Sequence, residues 1–232
     1  MSRKRISIVQ SSYIPWKGYF DLIRSVDEFV LLDDVQFTKR DWRSRNRIKT
    51  QHGPAWLTIP VRTKDRYHQS IEQTVISDPC WGRTHWATIR AAYARAPFFG
   101  QYADTFEALY QPRGPDERLS EINHRFIVAI CDLLAIHTPI RWSTEYGATT
   151  GRNERLVEIC AKTSATEYLS GPSAEAYIDR ALFAGAGIAV QFADYSGYPE
   201  YPQRYPPFEH HVSVLDLIFS VGPAAVTYMK RL

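Results

Sequence analysis

Short apolar runs alternate with stretches of helical spacing along most of the chain. Ile6 to Val9 is a brief β-branched run, Lys17 to Arg24 has helical spacing, and Phe29 to Leu32 is a second apolar run ending at Asp33 and Asp34. Strand, helix and strand within about thirty residues is the size of a right-handed βαβ unit with parallel strands. Ala55 to Val61 reads as a third strand, with Ser70 to Ile76 as a candidate neighbour. Trp81 to Tyr110 is predicted helical and split by Pro97, which cannot continue a helical hydrogen-bond ladder. Between Pro115 and Ile136, Leu119, Ile122, Phe126, Ile127, Ile130 and Leu133 recur at the spacing of an amphipathic helix. Further strands are predicted at Pro139 to Trp142, Glu167 to Leu169 and Gly187 to Phe192. Further helices are predicted at Asn153 to Thr163, Ala174 to Phe183 and Val212 to Met229, with Tyr195 to Phe208 as an irregular loop rich in Pro and Tyr. The expected fold class is α/β: a mostly parallel sheet beginning with a βαβ unit, with a central helical insertion. An N-terminal α/β portion (1–78), a helical insertion (79–136) and a C-terminal α/β portion (137–232) are expected to form one compact unit.

Composition narrows the class. A chain of 232 residues buries roughly 70–75% of its unfolded surface, so it needs no disulfide or metal to fold. Apolar residues at 44% and charged residues at 23% exclude a disordered chain, a collagen-like fibre and a disulfide scaffold. The net charge of +3, from 28 basic against 25 acidic residues, is too small to argue for nucleic acid by itself. Cys80, Cys131 and Cys160 include no C-x-x-C pair, so neither a zinc ribbon nor a thioredoxin-type centre is encoded. Cys131 and Cys160 lie in apolar helical surroundings and are expected to be inert core residues. The basic N-terminus has too short an apolar run for a signal peptide, and no stretch approaches the ~18 apolar residues of a membrane span. A soluble, cytoplasmic setting is expected, with no cofactor required by the sequence.

The candidate chemistry concentrates in two segments. Directly after the first strand come Gln10, Tyr13, Trp16, Lys17, Gly18, Tyr19 and Phe20. Ligands of open α/β sheets bind beyond the carboxyl ends of strands, near the following helix N-terminus. Gly18 lets backbone approach a ligand, and the aromatic rings offer flat faces to a base or sugar. The turn Pro15 to Tyr19 has the glycine of the nucleotidyltransferase Pro-x-His-x-Gly-His turn but neither histidine, which weighs against nucleotidyl transfer. The second segment starts at Asp33 and Asp34, which can serve as general base, bind a cation or hold hydroxyls. Adjacent strand residues face opposite ways, so one of the two is expected to enter the site. It continues through Gln36 to Lys39, Arg40, Arg43, Arg45, Asn46, Arg47 and Lys49, opposed only by Asp41. Arginine forks bind phosphate bidentately, making this the best anion-binding candidate, against the alternative of a solvated surface loop.

His85 is a candidate general base or proton donor. Five residues along a helix turn its side chain roughly 140° from that of Cys80, so a Cys–His nucleophilic pair is not expected. Ser170, between a strand and a helix, is an anion contact or a cap, and no G-x-S-x-G elbow surrounds it. The pair His210 and His211 lacks the spacing of helical zinc ligands, and Asp216 is read as orienting rather than reacting. No metal site, Walker loop or G-x-G-x-x-G is present.

Taken in order, these segments resemble the WbqC-like family of bacterial proteins. The resemblance rests on Gln10 with Tyr13 to Phe20, Leu32 to Phe37, Trp42 with Arg45 to Ile48, Trp56 to Val61, Trp81 with His85, Ser120 to Asn123, Tyr168 to Pro172, and Ser213 to Ile218. The chain departs from the commoner Gln-Pro start, with Ser11 and Ser12 in its place. The resemblance implies a place in bacterial surface-polysaccharide pathways, including O-antigen, or in other small-molecule pathways. Combined with the residues above, it leads to a transferase forming an amide, by acyl or aminoacyl transfer, on an amino sugar or related amine. The expected partners are a nucleotide-linked sugar or other phosphorylated small molecule and an aminoacyl or acyl carrier. In that reading the arginine-rich segment holds the diphosphate or another anionic carrier, Trp16 and Tyr19 stack on sugar or base, Asp33 or Asp34 orients hydroxyls or the amine, and His85 takes the amine proton. The alternatives are a nucleotide-dependent ligase or nucleotidyltransferase-like enzyme, and an RNA or aminoacyl-tRNA binding module built on Lys39 to Lys49.

Overall fold

In chain order the elements of the computed structural model are β1 (Arg5–Val9), α1 (Lys17–Arg24), β2 (Glu28–Leu31), β3 (Arg45–Thr50), β4 (Gly53–Thr58), α2 (Trp81–Tyr93), α3 (Phe99–Leu109), α4 (Leu119–Leu133), β5 (Ile140–Trp142), α5 (Arg152–Lys162), β6 (Glu167–Ser170), α6 (Arg180–Gly185), β7 (Ala189–Phe192) and α7 (Val214–Val221). Residues 3–148 and 151–232 are described. Ile6, Ser7 and Ile8 are all buried, as befits a strand covered on both faces. β1 pairs in parallel with β2 on one side and β6 on the other, β5 lies beyond β2, and β7 beyond β6. The sheet order is β5-β2-β1-β6-β7.

That order is doubly wound. The chain moves outward from β1 through β2 to β5, then restarts on the other side of β1 at β6. Strand alternation assigns the two faces: Phe29 and Leu31 pack with Phe20 and Leu22 of α1, Phe126 and Ile130 of α4, and Leu217 of α7. Ile6, Ile8 and Val30 pack with Leu156 and Ile159 of α5 and Phe183 of α6. The winding reverses between β1 and β6, and loops at the carboxyl ends of those two strands part to leave a crevice. The long excursion between β2 and α4 carries the antiparallel hairpin β3–β4 and helices α2 and α3, whose Trp86, Ile89 and Phe106 join the cluster of α4 and α7.

Several segments differ from the sequence reading, each for a local reason. The basic segment is not wholly loop: Arg45 to Thr50 is a strand, because Ser44, Asn46 and Ile48 alternate inward and are buried. Ser70 to Ile76 forms only isolated bridges, Gln36 with Ser70, Val61 with Ile76 and Val75 with Arg118. The helix expected from Ala174 to Phe183 is a 3₁₀ turn over Pro172–Ala176, then α6, which starts late because the Asp179 carboxylate accepts from Ala181 N and Leu182 N. The closing helix stops at Gly222, whose φ of +56° favours glycine and whose missing Cβ makes room for the Phe98 ring. A 3₁₀ stretch, Gly222–Tyr228, follows. No helix among the described residues is long and apolar enough to cross a membrane.

The Pro/Tyr-rich loop gets its order from side chains rather than from a ladder. Tyr198 OH donates to Asp21 Oδ2 at 2.5 Å, and Tyr201 OH to Asp216 Oδ2 at 2.5 Å. Asp216 also accepts from Tyr93 OH at 2.9 Å and Gln203 Nε2 at 2.6 Å. Both carboxylates are fully buried, and burial raises both above the usual carboxylate range. The loop thereby becomes a fixed wall beside Trp16.

Candidate functional site

A cleft of about 530 Å³ opens where β1 and β6 end. Val9, Ser12, Pro15, Trp16 and Tyr19 form one side, Trp42, Arg43 and Asn46 another, and Pro172, Ser173 and His211 close it. It lies at the switch point of the sheet, the position ligands take in open α/β folds.

The loop after β1 is held under strain. Ile14 has φ +35°, a left-handed conformation rare for a β-branched residue. Such a residue costs about 1–3 kcal/mol unless its surroundings over-determine it. Here Asn46 Nδ2 donates to Tyr13 O at 3.0 Å and to Ile14 O at 2.9 Å. Ser11 N donates to Asp33 Oδ1 at 2.8 Å, Tyr13 N to Trp42 O at 3.0 Å, and Val214 N to Pro15 O at 2.9 Å. Asn123 Nδ2 donates to Ser11 Oγ and to Arg43 O, both at 2.9 Å, and Ser120 Oγ donates to Asp33 Oδ2. Five parts of the chain thus fix one loop.

Arg43 is the cation of the cleft. Its Nη1 donates to Gln10 Oε1, while its Nε is buried without a partner. Among the described residues none that lines the cleft is acidic. Trp16 stands against Tyr195, Tyr198 and His211, with ring centroids 5.1, 5.6 and 5.9 Å away. His211 Nδ1 lies 3.4 Å from Glu209 Oε1, and Glu209 Oε1 also accepts from His211 N at 2.8 Å. Gly18 seats the indole: a Cβ there would come within 2.7 Å of Trp16 Cε2 and Cη2. Gly18→Ala is therefore expected to displace the ring, costing about 1–3 kcal/mol and altering the near-ultraviolet circular dichroism. An unchanged spectrum and unfolding midpoint would contradict that seating.

The structure brings Trp16, Tyr19 and Asn46 to the cleft wall, with Gln10 and Gly18 directly behind it, holding Arg43 and Trp16 respectively. Tyr19 OH donates to Gln10 O at 3.1 Å. The other candidates lie elsewhere. Asp33 is 1% exposed and braces the first loop; burial raises its pKa, opposed by the bonds from Ser120 and Ser11 and by the charge of Arg43. Asp34 accepts from Ser143 Oγ at 2.7 Å and Arg155 Nη1 at 3.2 Å, tying down α5. Neither carboxylate lines the cleft. Lys17 is buried, its Nζ 3.3 Å from Pro199 O and 4.6 Å from the Tyr198 ring centre, and burial lowers its pKa to about 8. Gln36 donates to Tyr67 O at 3.0 Å, and Lys39 is exposed. Arg45 and Arg47 lie over Trp56 on the outer face of the hairpin. Ser170 is buried and accepts from Tyr168 OH at 3.3 Å, two residues before the cleft wall begins.

His85 and Tyr13 form a separate interior chain. Tyr13 OH lies 2.8 Å from His85 Nδ1 and 2.9 Å from Tyr110 OH, and His85 Nε2 lies 3.1 Å from Thr58 O. Since a carbonyl only accepts, Nε2 carries the proton and Nδ1 accepts from Tyr13. Both ring nitrogens are engaged, and burial lowers the imidazole to about 4. His85 is not among the residues that line the cleft, and its ring bonds to Tyr13 and Thr58 rather than to Cys80. Cys131 and Cys160 are buried, which pushes both thiols up to about 12. Among the described residues no group of three or more His, Cys, Asp or Glu is placed to hold a metal ion.

Fold and cleft together define a doubly wound α/β protein with an anion-favouring cleft at its switch point. The chain matches the WbqC-like protein family over residues 10–228 and belongs to that family. An uncharacterized protein of Mycobacterium tuberculosis is 46% identical to it over 227 residues, covering 98% of each chain. No solved structure matches it.

Proposed function

We propose that this protein is a transferase that forms an amide on a nucleotide-linked amino sugar or related phosphorylated amine, taking its acyl or aminoacyl group from a carrier. One observation carries the reading: Arg43, with a buried and unpartnered Nε, stands in a cleft of aromatic and neutral walls at the switch point. A guanidinium so placed is matched by a phosphate group, and Trp16 and Trp42 present flat faces to a base or sugar ring. His211 is the base in this reading. The Glu209 carboxylate lies beside Nδ1, leaving Nε2 for the amine proton. The amine nitrogen bonds to the acyl carbon, the carrier's ester or thioester bond breaks, and His211 returns the proton to the leaving oxygen or sulfur. A place in surface-polysaccharide biosynthesis, which resemblance to the WbqC-like family implies, agrees with such a substrate.

The test is incubation with nucleotide-linked amino sugars and thioester or aminoacyl donors, followed by mass spectrometry. The expected product carries the acyl mass on the sugar amine, and His211→Ala lowers its rate by roughly 10²–10⁴. Absence of the adduct across all donor and acceptor pairs would defeat the proposal.

A further inference from the structure

The outer face of the β3–β4 hairpin has no part in the chemistry above. Within β3, alternation buries Asn46 and Ile48 and leaves Arg45 and Arg47 on the opposite side. Across the hairpin from Arg47 stands Trp56, 46% exposed. The Arg45 guanidinium lies 4.1 Å from the Trp56 ring centre and that of Arg47 5.7 Å. Trp42, 42% exposed, leans on Trp56 with centroids 5.4 Å apart, and it is also a wall of the cleft. Flat faces and guanidinium groups therefore run without a break from the cleft onto the surface. Among the described residues Arg43 and Arg45 form no salt bridge, and Arg47 meets Glu209 only at 4.0 Å. Cross-strand packing accounts for Arg47 on Trp56, but not for a second half-exposed indole beside unpaired cations.

We propose that this face binds the single-stranded end of an RNA, bases stacking on Trp56 and up to Trp42 at the mouth of the cleft, and phosphates meeting Arg45 and Arg47. Same-face residues of a strand repeat about every 7 Å, which lets successive arginines follow successive phosphates of an extended chain. Indoles favour a single strand, because paired bases hide their faces, and stacking with cationic tracking is how sequence-tolerant single-strand sites work. The purpose of the site rests on the transferase reading. A 3′-terminal aminoacyl ester would reach the cleft, where attack by the sugar amine breaks the ester C–O bond and the ribose hydroxyl leaves with the proton from His211.

The test is fluorescence anisotropy with a labelled single-stranded RNA of about twelve nucleotides, within the span of known single-strand sites. Two phosphate contacts predict that log Kd rises against log salt with a slope of about 1.4. Trp56→Ala is expected to weaken binding about tenfold, and Arg45→Gln to lower the slope by about 0.7. No binding at low salt, equal binding of a duplex, or indifference to both substitutions would overturn the proposal. If Trp56→Ala lowers the melting temperature, the slope of Arg45→Gln decides. RNA binding without amide product removes the transferase reading alone; amide product without RNA binding removes the docking surface alone.

Discussion

Replacing Arg43 by alanine is expected to weaken the binding of a nucleotide diphosphate sugar by about a hundredfold. Truncating one partner of a desolvated charge pair costs roughly 2–5 kcal/mol, and a hundredfold is about 2.7 kcal/mol. The Arg43 guanidinium is the one arginine of the cleft wall, and its Nε has no partner there. Its loss also frees Gln10, which it holds from the other side. Arg43→Lys keeps the charge but not the planar fork, so an intermediate loss of about tenfold is expected. Arg43 is only half-buried, so the unfolding midpoint should move little, which separates binding from folding. Titration calorimetry on the three proteins reads all of this, and equal affinities would remove Arg43 from the site.

The second large effect is on stability in acid. His85 is buried neutral, with its pKa lowered from 6.5 to about 4, chiefly by desolvation. Between those values the unfolded chain takes up a proton that the folded one refuses, so stability rises with pH across the window and is lost as pH falls. A fall from 6.5 to about 4 corresponds to about 3 kcal/mol between neutral pH and pH 4. His85→Gln, which cannot titrate, should lose about 3 kcal/mol less than the natural protein over that range in urea unfolding. The buried carboxylates Asp21, Asp33 and Asp216 are raised and carry the opposite sign, and they are common to both proteins. Parallel pH profiles for the two would show that His85 is accessible to solvent protons in the folded state.

Much of the sheet was legible because β-branched and aromatic runs of four or five residues admit few readings. Placement of the first loop beyond β1 followed from the same pattern. What the residues around it do was harder to read. Asp33 and Asn46 look like site chemistry in a linear chain, yet their oxygens and amide are spent on holding Ser11, Tyr13 and Ile14. Arg43 lies in the turn before β3, where no strand alternation marks it, and only the fold sets it in the cleft wall while Arg45 and Arg47 stand on the outer face of the hairpin. His211 joins Trp16 through a contact nearly two hundred residues apart in sequence, which no local spacing reveals. Lys17 begins α1 beside Trp16, but the tyrosines that cover it come from the loop after β7.

The central claim is that the crevice between β1 and β6 receives a phosphorylated, ring-bearing small molecule through Arg43. A crystal of the protein soaked with a nucleotide diphosphate amino sugar tests it most directly. The account predicts the diphosphate on the Arg43 guanidinium, with base or sugar ring against Trp16 or Trp42. A diphosphate bound away from Arg43, with the cleft left to solvent, would contradict it.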